Sequence, residues 1–262
     1  MSTNKYAGPP APRAEKKPLA RITGLNAVAA LFERSPERVE RLFFEERLRT
    51  TAGPFCAQLA RARKPYRMVG GDELAKVAGT VLHGGIVAVA RPQPVHRFDP
   101  GHAARWAADG RPLLVLDGIG NTHNLGAIAR TAAFFGLPRL LLSDHPAQAL
   151  PAESSYRVAE GGLDHLELHR ATPFDEALRA LKRSYRTIAA APGPHRDLAS
   201  LRLGDKPFAL LLGNEEDGLP PATLAACDEI VAIPGAGRIQ SLNVAASAAI
   251  LLYAVSAAGR AG

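Results

Sequence analysis

The sequence predicts an α/β protein in which helices cover both faces of a parallel β-sheet. Short segments that are apolar at every position, such as LLVL and FALLLG, alternate with segments of helical periodicity. Strands of this continuously apolar kind are buried on both faces, as they are in parallel sheets. The alanine-rich, nearly uncharged segment that follows Ser241 predicts a buried closing helix.

The 262 residues divide into four predicted segments. Residues 1–18 form a flexible basic tail, and residues 19–91 form a small α/β domain of alternating helices and strands. Residues 92–110 form a linker, because four prolines fall within 91–112 and periodicity is weak there. Residues 111–262 form a second, larger α/β domain.

Periodicity predicts the elements of both domains. In the small domain we expect a helix from Arg21 over ITGLNAVAALFE, strands in VERLFFEE, 66–69 and GGIVAVA, and helices over 54–63 and 72–78. The linker contains one short helix around 103–108. In the large domain we expect strands in LLVLDGIG, 139–143, 187–190, 208–213 and 229–233, and helices over 125–135, 174–183 and from Ser241 onward.

The net charge of +7 is unevenly distributed: residues 1–110 contain 18 Lys or Arg against 10 Asp or Glu, and residues 111–262 contain 14 against 15. This excess suits a polyanion such as nucleic acid, although a solvated basic surface explains it equally well. The two cysteines lie far apart and lack metal-ligand spacing, which predicts that they are reduced. The start of the sequence lacks an apolar leader, and both observations together predict a cytoplasmic chain. The uncharged run 242–258 contains Asn243 and many alanines, which favours a buried helix over a membrane span.

Three segments carry polar residues where an open sheet binds ligands. In DGIGNTHNLGAIARTAAFFG, a strand passes through glycines into a helix, but the spacing is not GxGxxG, and no GK[ST] phosphate loop occurs. Asn124 is explained equally well as a helix cap. Arg130 lies among Ala, Ile and Phe, which favours a functional role, with a structural salt bridge as the alternative.

The other two segments follow the last two predicted strands. In FALLLGNEEDGLP, Glu215 comes directly after a buried strand and is placed to enter a crevice, although an ordinary tight turn is an equal alternative. In IPGAGRIQSLNV, a glycine loop leads to a predicted N-cap at Ser241. Polar residues cluster at this helix mouth, which indicates a pocket for a polar ligand: Arg238, Gln240, Ser241 and Asn243.

In these segments the sequence resembles the SpoU/TrmH family of RNA ribose 2′-O-methyltransferases, over nearly all of residues 111–256. The motifs match in order and spacing: Asn124 through Arg130 and Thr131, then Gly213-Asn214-Glu215 with Gly218, then Ile233-Pro234 through Ser241-Leu242-Asn243-Val244. The segments TGLNAVAALFE, VERLFFEE and HGGIVAVA resemble the small L30e-like substrate-binding domain that many members carry.

The resemblance implies a trefoil-knotted sheet, S-adenosylmethionine as the cofactor, ribosomal or transfer RNA as the partner, and a homodimer whose active site draws on both subunits. It assigns these residues to the cofactor pocket: Gly213, Ile233 and Leu242, with Leu212 and Pro234 beside them. It assigns these to the polar catalytic site: Arg130, Asn124, Glu215, Ser241 and Asn243. The chain departs from common family patterns at residues 121–123 and in Ile-Pro-Gly-Ala-Gly. We expect these departures to alter the pocket rim and the choice of RNA; neither removes a residue assigned to the chemistry.

A ribose 2′-hydroxyl is a poor nucleophile, so the site must align it with the methyl donor and help it lose a proton. The family assigns proton removal to the arginine at Arg130, but a guanidinium normally stays protonated. We therefore hypothesise that Arg130 stabilises developing negative charge, with an RNA phosphate or water accepting the proton. We expect Glu215, Ser241 and Asn243 to position groups.

Three alternatives stay open at this stage. The chain could be a non-catalytic RNA-binding or ribosome-assembly protein that retains the knotted fold, although the full set of polar motif residues argues against this. A nicotinamide-dependent dehydrogenase lacks support because its fingerprint and acidic ribose ligand are missing. A knotted enzyme that methylates bases is the third alternative.

Overall fold

The computed structural model describes residues 19–200 and 204–258, which form two β-sheets with helices packed on them. The predicted tail 1–18 lies outside the described residues. The small sheet contains β1 (Ala20–Thr23), β2 (Val39–Phe44), β3 (Tyr66–Met68) and β4 (Ile86–Ala90), in the order β1-β4-β2-β3. Its helices are α1 (Leu25–Arg34), α2 (Arg49–Arg61) and α3 (Gly71–Ala78).

Two predicted boundaries in this region are wrong. The predicted first helix begins only at Leu25, because Ala20–Thr23 is an edge strand that pairs antiparallel with β4. Tertiary pairing therefore overrides the helical pattern in these first residues. Helix α2 begins at Arg49, so Pro54 lies inside the helix rather than at its start.

The large sheet contains eight strands, and all neighbouring strands are parallel. The strands are β5 (Val95–Arg97), β6 (Leu113–Asp117), β7 (Arg139–Leu142), β8 (Glu167–Arg170), β9 (Arg186–Ala190), β10 (Arg196–Asp197), β11 (Phe208–Gly213) and β12 (Glu229–Ala232), in the order β10-β12-β9-β11-β6-β7-β8-β5. The helices are α4 (His102–Ala107), α5 (Thr122–Phe134), α6 (Glu153–Ala159), α7 (Phe174–Ser184), α8 (Pro221–Ala226) and α9 (Val244–Ala258).

Alternate residues of the central strands β6 and β11 enter two separate cores. Leu114 and Leu116 pack with residues of α5 and α9, whereas Leu113 and Val115 pack with residues of α4 and α7 on the other face. Every residue of β6 and β11 is buried. The predicted parallel sheet flanked by helices is therefore confirmed; the trefoil knot stays a prediction.

The expected linker 92–110 contains ordered structure. Its strand β5 pairs with β8 and forms one edge of the large sheet, and α4 packs into the core on the α7 side. We therefore propose a two-domain division in which this segment belongs with the larger domain. Within the described residues, no helix is both long and apolar enough to span a bilayer.

A buried ion pair joins the turn before β2 of the small sheet to the turn before β8 of the large sheet. Arg38 Nη1 donates to Asp164 Oδ1 at 2.6 Å, and the two side chains are 6% and 0% exposed. The Tyr156 hydroxyl accepts bonds from Arg38 Nη2 at 3.4 Å and from Gln93 N at 2.7 Å. Burial raises the pKa of Asp164, although the adjacent guanidinium opposes this shift. These contacts therefore link the small domain to the large one.

Candidate active site

The site is built where two neighbouring parallel strands end. Gly213 of β11 pairs with Asp117 of β6, so the loops that follow these strands lie side by side. Asn214 Nδ2 donates to the carbonyl oxygen of Gly118 at 2.9 Å and thereby ties the two loops together. The buried Gln148 side chain accepts from the backbone N–H groups of Gly118 and Ile119 at 3.0 and 3.1 Å, which fixes the first loop further.

Gly213 is required by a close approach of the backbone. A Cβ atom at this position would lie 2.3 Å from both the carbonyl carbon of Gly218 and the nitrogen of Leu219. Asn214 and Gly218 also exchange two backbone hydrogen bonds of 3.0 Å, which close the turn that carries Glu215. The strand end and the turn are therefore folded tightly together, and any side chain at 213 would push them apart.

Three predicted site residues from three separate segments form a hydrogen-bonded chain. Asn124 Nδ2 donates to Glu215 Oε1 at 2.6 Å, and Asn243 Nδ2 donates to Asn124 Oδ1 at 3.1 Å. Asn124 is half-buried, while Glu215 and Asn243 are exposed to solvent. We call this arrangement the polar chain, and it brings the three motifs to one point at the strand ends.

The helix caps correct two expectations about these residues. Asn121, rather than Asn124, caps α5, because its Oδ1 accepts from His123 N at 2.8 Å and the helix begins at Thr122. Asn243, rather than Ser241, caps α9, since its Oδ1 accepts from Ala245 N at 2.9 Å. Asn124 is thereby free for the polar chain, and Asn243 is oriented by the helix that it caps.

The loop from Gly235 to Leu242 leaves its backbone available. Within the described residues, no hydrogen bond involves the backbone N–H or carbonyl groups of this loop. Its apolar side chains Ile239 and Leu242 are exposed, as are the predicted polar residues Arg238, Gln240 and Ser241. Exposed apolar side chains beside unengaged backbone groups indicate a loop that binds a ligand.

Arg130 lies outside the polar chain. It lies near the middle of α5, its side chain is 57% exposed, and its Nη2 forms a salt bridge with Glu160 Oε2 at 3.1 Å. The apolar surroundings expected from the sequence are therefore those of its helix neighbours, not of its guanidinium. The salt bridge that the sequence left open as an alternative is present, and it leaves most of the side chain accessible.

Two models of known protein families match this chain. The model of the SpoU rRNA Methylase family matches residues 111–253, which include both strand-end loops and the polar chain. A second family model, described as RNA 2′-O ribose methyltransferase substrate binding, matches residues 21–95. The chain belongs to the SpoU rRNA methylase family. Membership confirms the predicted family. It also confirms the prediction that this chain is an RNA methyltransferase that uses S-adenosylmethionine.

Relatives of this SpoU methylase match it over most of its length. The 23S rRNA (guanosine-2′-O-)-methyltransferase RlmB of Acinetobacter baylyi is 32% identical over 88% of this chain and 94% of the relative. The protein of the same name from Yersinia pestis is 31% identical over 89% of this chain and 95% of the relative. Both alignments therefore cover the small and the large domain together.

Solved structures of methyltransferases share the fold. The AdoMet-bound rRNA methyltransferase from Sinorhizobium meliloti superimposes with a TM-score of 0.72 at 20% identity, covering 90% of this chain and 86% of that one. The AdoMet complex of the SpoU methyltransferase AviRb from Streptomyces viridochromogenes gives a TM-score of 0.72 at 24% identity, covering 93% and 92%. At these identities the likeness establishes the fold.

The residues assigned to the cofactor pocket of this methylase differ in burial. Leu212 and Gly213 are buried at the end of β11, and Ile233 is half-buried directly after β12. Pro234 directly precedes the loop and Leu242 ends it, and both are exposed. This set fits S-adenosylmethionine in its chemistry, because it combines apolar side chains for the adenosyl group with the unengaged backbone groups of the loop.

Sequence reasoning missed two residues at this site. Gln148 shapes the loop after β6, and Glu160 pairs with Arg130, yet neither lies in a recognised motif. The adjacent Gly161-Gly162 pair was an available signal, because consecutive glycines mark close backbone approaches. Among the described residues, no group of three or more His, Cys, Asp or Glu side chains could hold a metal ion.

Proposed function

We propose that this SpoU methylase transfers the methyl group of S-adenosylmethionine to a ribose 2′-hydroxyl of structured RNA, with ribosomal RNA as the substrate. The polar chain carries this proposal, because it joins one residue from each of the three motifs beside the loop that fits the cofactor. The relatives named 23S rRNA (guanosine-2′-O-)-methyltransferase support ribosomal RNA as the substrate class.

The polar chain positions groups for the reaction. Asn124 uses both ends of its amide, donating to Glu215 and accepting from Asn243, so its orientation is defined on both sides. Asn243 is in turn held by the first turn of α9. Such preorganised side chains align reactants without reorganising during the reaction. We assign Asn124, Glu215 and Asn243, with Ser241 on the adjoining loop, to positioning.

Arg130 stabilises the negative charge that develops on the ribose oxygen. A guanidinium remains protonated in proteins, so its contribution is electrostatic rather than proton removal. The hydroxyl proton passes to water or to a phosphate oxygen of the RNA. Since Arg130 lies outside the polar chain of its own subunit, we propose that it serves the active site of a partner subunit in a homodimer.

The cofactor would be held by the strand ends and the loop. Leu212, Gly213 and Ile233 would contact the adenosyl group, and Pro234 and Leu242 would cover it. When bound, S-adenosylmethionine supplies an electrophilic methyl group on a sulfonium. The unengaged backbone of residues 235–242 supplies hydrogen-bond donors and acceptors for its polar edges.

The small domain supports RNA as the partner. Three arginines on or next to α2 are exposed and form no salt bridge with any described residue: Arg49, Arg61 and Arg63. Basic residues of this kind bind phosphates and make affinity dependent on salt. Because Cys56 and Cys227 are unpaired, we also propose that the chain works in the reducing cytoplasm.

Mapping of ribose methylation tests the function. Ribosomal and transfer RNA from cells with and without the gene are compared, and the gene-deleted cells are complemented with the unaltered protein or with Arg130→Ala. We expect one ribosomal RNA methylation to disappear on deletion, to return with the unaltered protein, and to stay absent with Arg130→Ala.

Three other results of the mapping would change the proposal. A lost methylation in transfer RNA would move the proposed substrate to that class. Unchanged methylation together with no calorimetric binding of S-adenosylmethionine would favour a non-catalytic RNA-binding protein. Full methylation by Arg130→Ala would overturn the role of the arginine alone.

A further inference from the structure

A turn of three residues lies between α1 of the small domain and α5 of the large domain, next to Arg130. Residues 160–162 follow α6, and Glu160 has a left-handed backbone with φ 44°, which is uncommon outside glycine. At Gly161 (φ 94°), a Cβ would lie 2.7 Å from Cβ of Ala30, on α1 of the small domain. At Gly162, a Cβ would lie 2.7 Å from Cα of Arg130. Two glycines therefore allow the turn to contact α1 and α5 at once.

Glu160 makes side-chain contacts in the same two directions. Its Oε2 accepts from Arg130 Nη2 at 3.1 Å and from Asn26 Nδ2 of α1 at 3.4 Å. One carboxylate oxygen is thus shared between the small domain and the arginine to which we assign charge stabilisation. Among the salt bridges of the described residues, this is the pair that includes Arg130.

We infer that Glu160 is a positioning residue for Arg130, and that it links the docking of the substrate-binding domain to the orientation of the catalytic guanidinium. This inference rests on the proposed role of Arg130. The carboxylate holds a long, flexible side chain in one direction before the substrate arrives, so less rotamer freedom remains to be lost at the reaction step. Asn26 donates to the same carboxylate oxygen and so connects it to α1.

Stability alone does not account for the pair. The Arg130 and Glu160 side chains are 57% and 45% exposed, and exposed ion pairs contribute little to folding. Helix α6 carries a second exposed link to the small domain at its other end, where Glu153 Oε1 accepts from Arg21 N and Nε at 3.0 and 2.8 Å. That pair does not involve Arg130, so it provides a matched control.

Single-turnover methylation at saturating RNA and S-adenosylmethionine tests the inference with the full-length protein. We expect Glu160→Ala to slow the reaction by about 10-fold to about 100-fold, because a misplacement of a catalytic group by about 1 Å can cost about 100-fold in rate. Glu160→Gln keeps an acceptor oxygen and should be slowed less. The control Glu153→Ala should keep the unaltered rate. The dissociation constant for RNA should change by less than about twofold in all three variants, since the RNA surface is untouched.

A double-variant comparison separates positioning from a structural role. Adding Glu160→Ala to Arg130→Ala should cause no further loss of rate, because Glu160 acts through the arginine. Equal slowing in both backgrounds, or an unaltered rate in Glu160→Ala while Arg130→Ala is impaired, would overturn the inference. An unaltered rate in Arg130→Ala itself would instead overturn the proposed role of Arg130. If Arg130→Ala is inactive, the two single variants are compared instead. A slower rate in Glu160→Ala than in Glu153→Ala supports the inference, and equal rates overturn it.

Discussion

At the residue scale, the amide of Asn124 is directional. Its nitrogen must face Glu215 and its oxygen must face Asn243, because a carboxylate can only accept and Asn243 Nδ2 can only donate. An aspartate has nearly the same shape as asparagine but lacks the donor. The polar chain is therefore sensitive to a change of a single atom.

This directionality predicts the effect of Asn124→Asp. Two carboxylates would meet across the 2.6 Å contact with Glu215, and their repulsion should slow methyl transfer by about 100-fold, a loss typical of a removed preorganised contact. Lowering the pH should restore part of the rate, because repulsion raises the pKa of one carboxyl and its protonation supplies a donor. Single-turnover rates across pH measure this.

A compensating variant provides the control for that prediction. When Asn124→Asp is combined with Glu215→Gln, the new amide can donate to the new carboxylate, which still accepts from Asn243. The hydrogen-bonded chain then reforms with the donor and acceptor exchanged at its first contact. We expect the double variant to be faster than Asn124→Asp alone near neutral pH. A double variant slower than both single variants would show that the Glu215 charge itself is needed.

Residues that act through local motifs could be predicted from the sequence. Glu215 follows an apolar strand, Asn124 lies in the first turn of the helix after another, and Asn243 precedes a helix; the structure joins all three. Glu160 could not be predicted in the same way, because it approaches Arg130 only after α6 folds back on α5. Local spacing carries no information about a contact made by tertiary packing.

At the scale of elements, burial decides how much the sequence reveals. Strand β11 was predicted at its observed boundaries and β6 within its apolar segment, because strands buried on both faces are continuously apolar. Strands β5, β8 and β10 and helices α6 and α8 were not predicted. They are at most seven residues long, and unlike the equally short β7 they contain no run of large apolar residues.

Helix α9 has an exposed stripe that its composition did not reveal. It was expected to be buried on all sides, yet Ala246, Ile250 and Tyr253 are exposed at a spacing of three to four residues. Phe134, at the end of the neighbouring α5, is exposed as well. We propose that this stripe forms the interface with a second copy of the chain, because the proposed use of Arg130 requires such a copy.

The stripe predicts the outcome of Tyr253→Glu. A charge within the proposed interface should convert a dimer into monomers, because burying an unpaired carboxylate is costly. Sedimentation velocity measures the change, and Val81→Glu, at an exposed apolar residue of the small domain, is the matched control. A monomeric unaltered protein, or a Tyr253→Glu variant that remains dimeric, would refute this assignment.

At the scale of the whole molecule, the two sheets should unfold together. Two features join the domains. One is the buried Arg38–Asp164 pair, and the other is a single hydrophobic core that contains residues of both α1 and α5. A pair of this kind stabilises only while both members are present, since either charge alone would be buried without a partner.

Chemical denaturation of Arg38→Met measures this coupling. We expect a loss of about 3–5 kcal/mol in the free energy of unfolding, because Asp164 keeps its burial and loses its guanidinium. The control Arg21→Met, which removes an exposed pair with Glu153, should cost no more than about 1 kcal/mol. Adding Asp164→Leu to Arg38→Met should recover much of the loss. Equal losses in the two single variants would contradict the coupling.

The order of strands in the large sheet has a consequence for how the protein is made. Strand β6 is flanked by β7 and β11. Residue 114 of β6 pairs with residue 210 of β11, so one edge of β6 stays unpaired until residue 210 has been synthesised. Pairing between such distant segments is slow and leaves apolar surface exposed in the meantime. The small sheet, complete by residue 90, can form first on the ribosome. We expect the nascent chain to need protection by chaperones mainly between the emergence of β6 and that of β11.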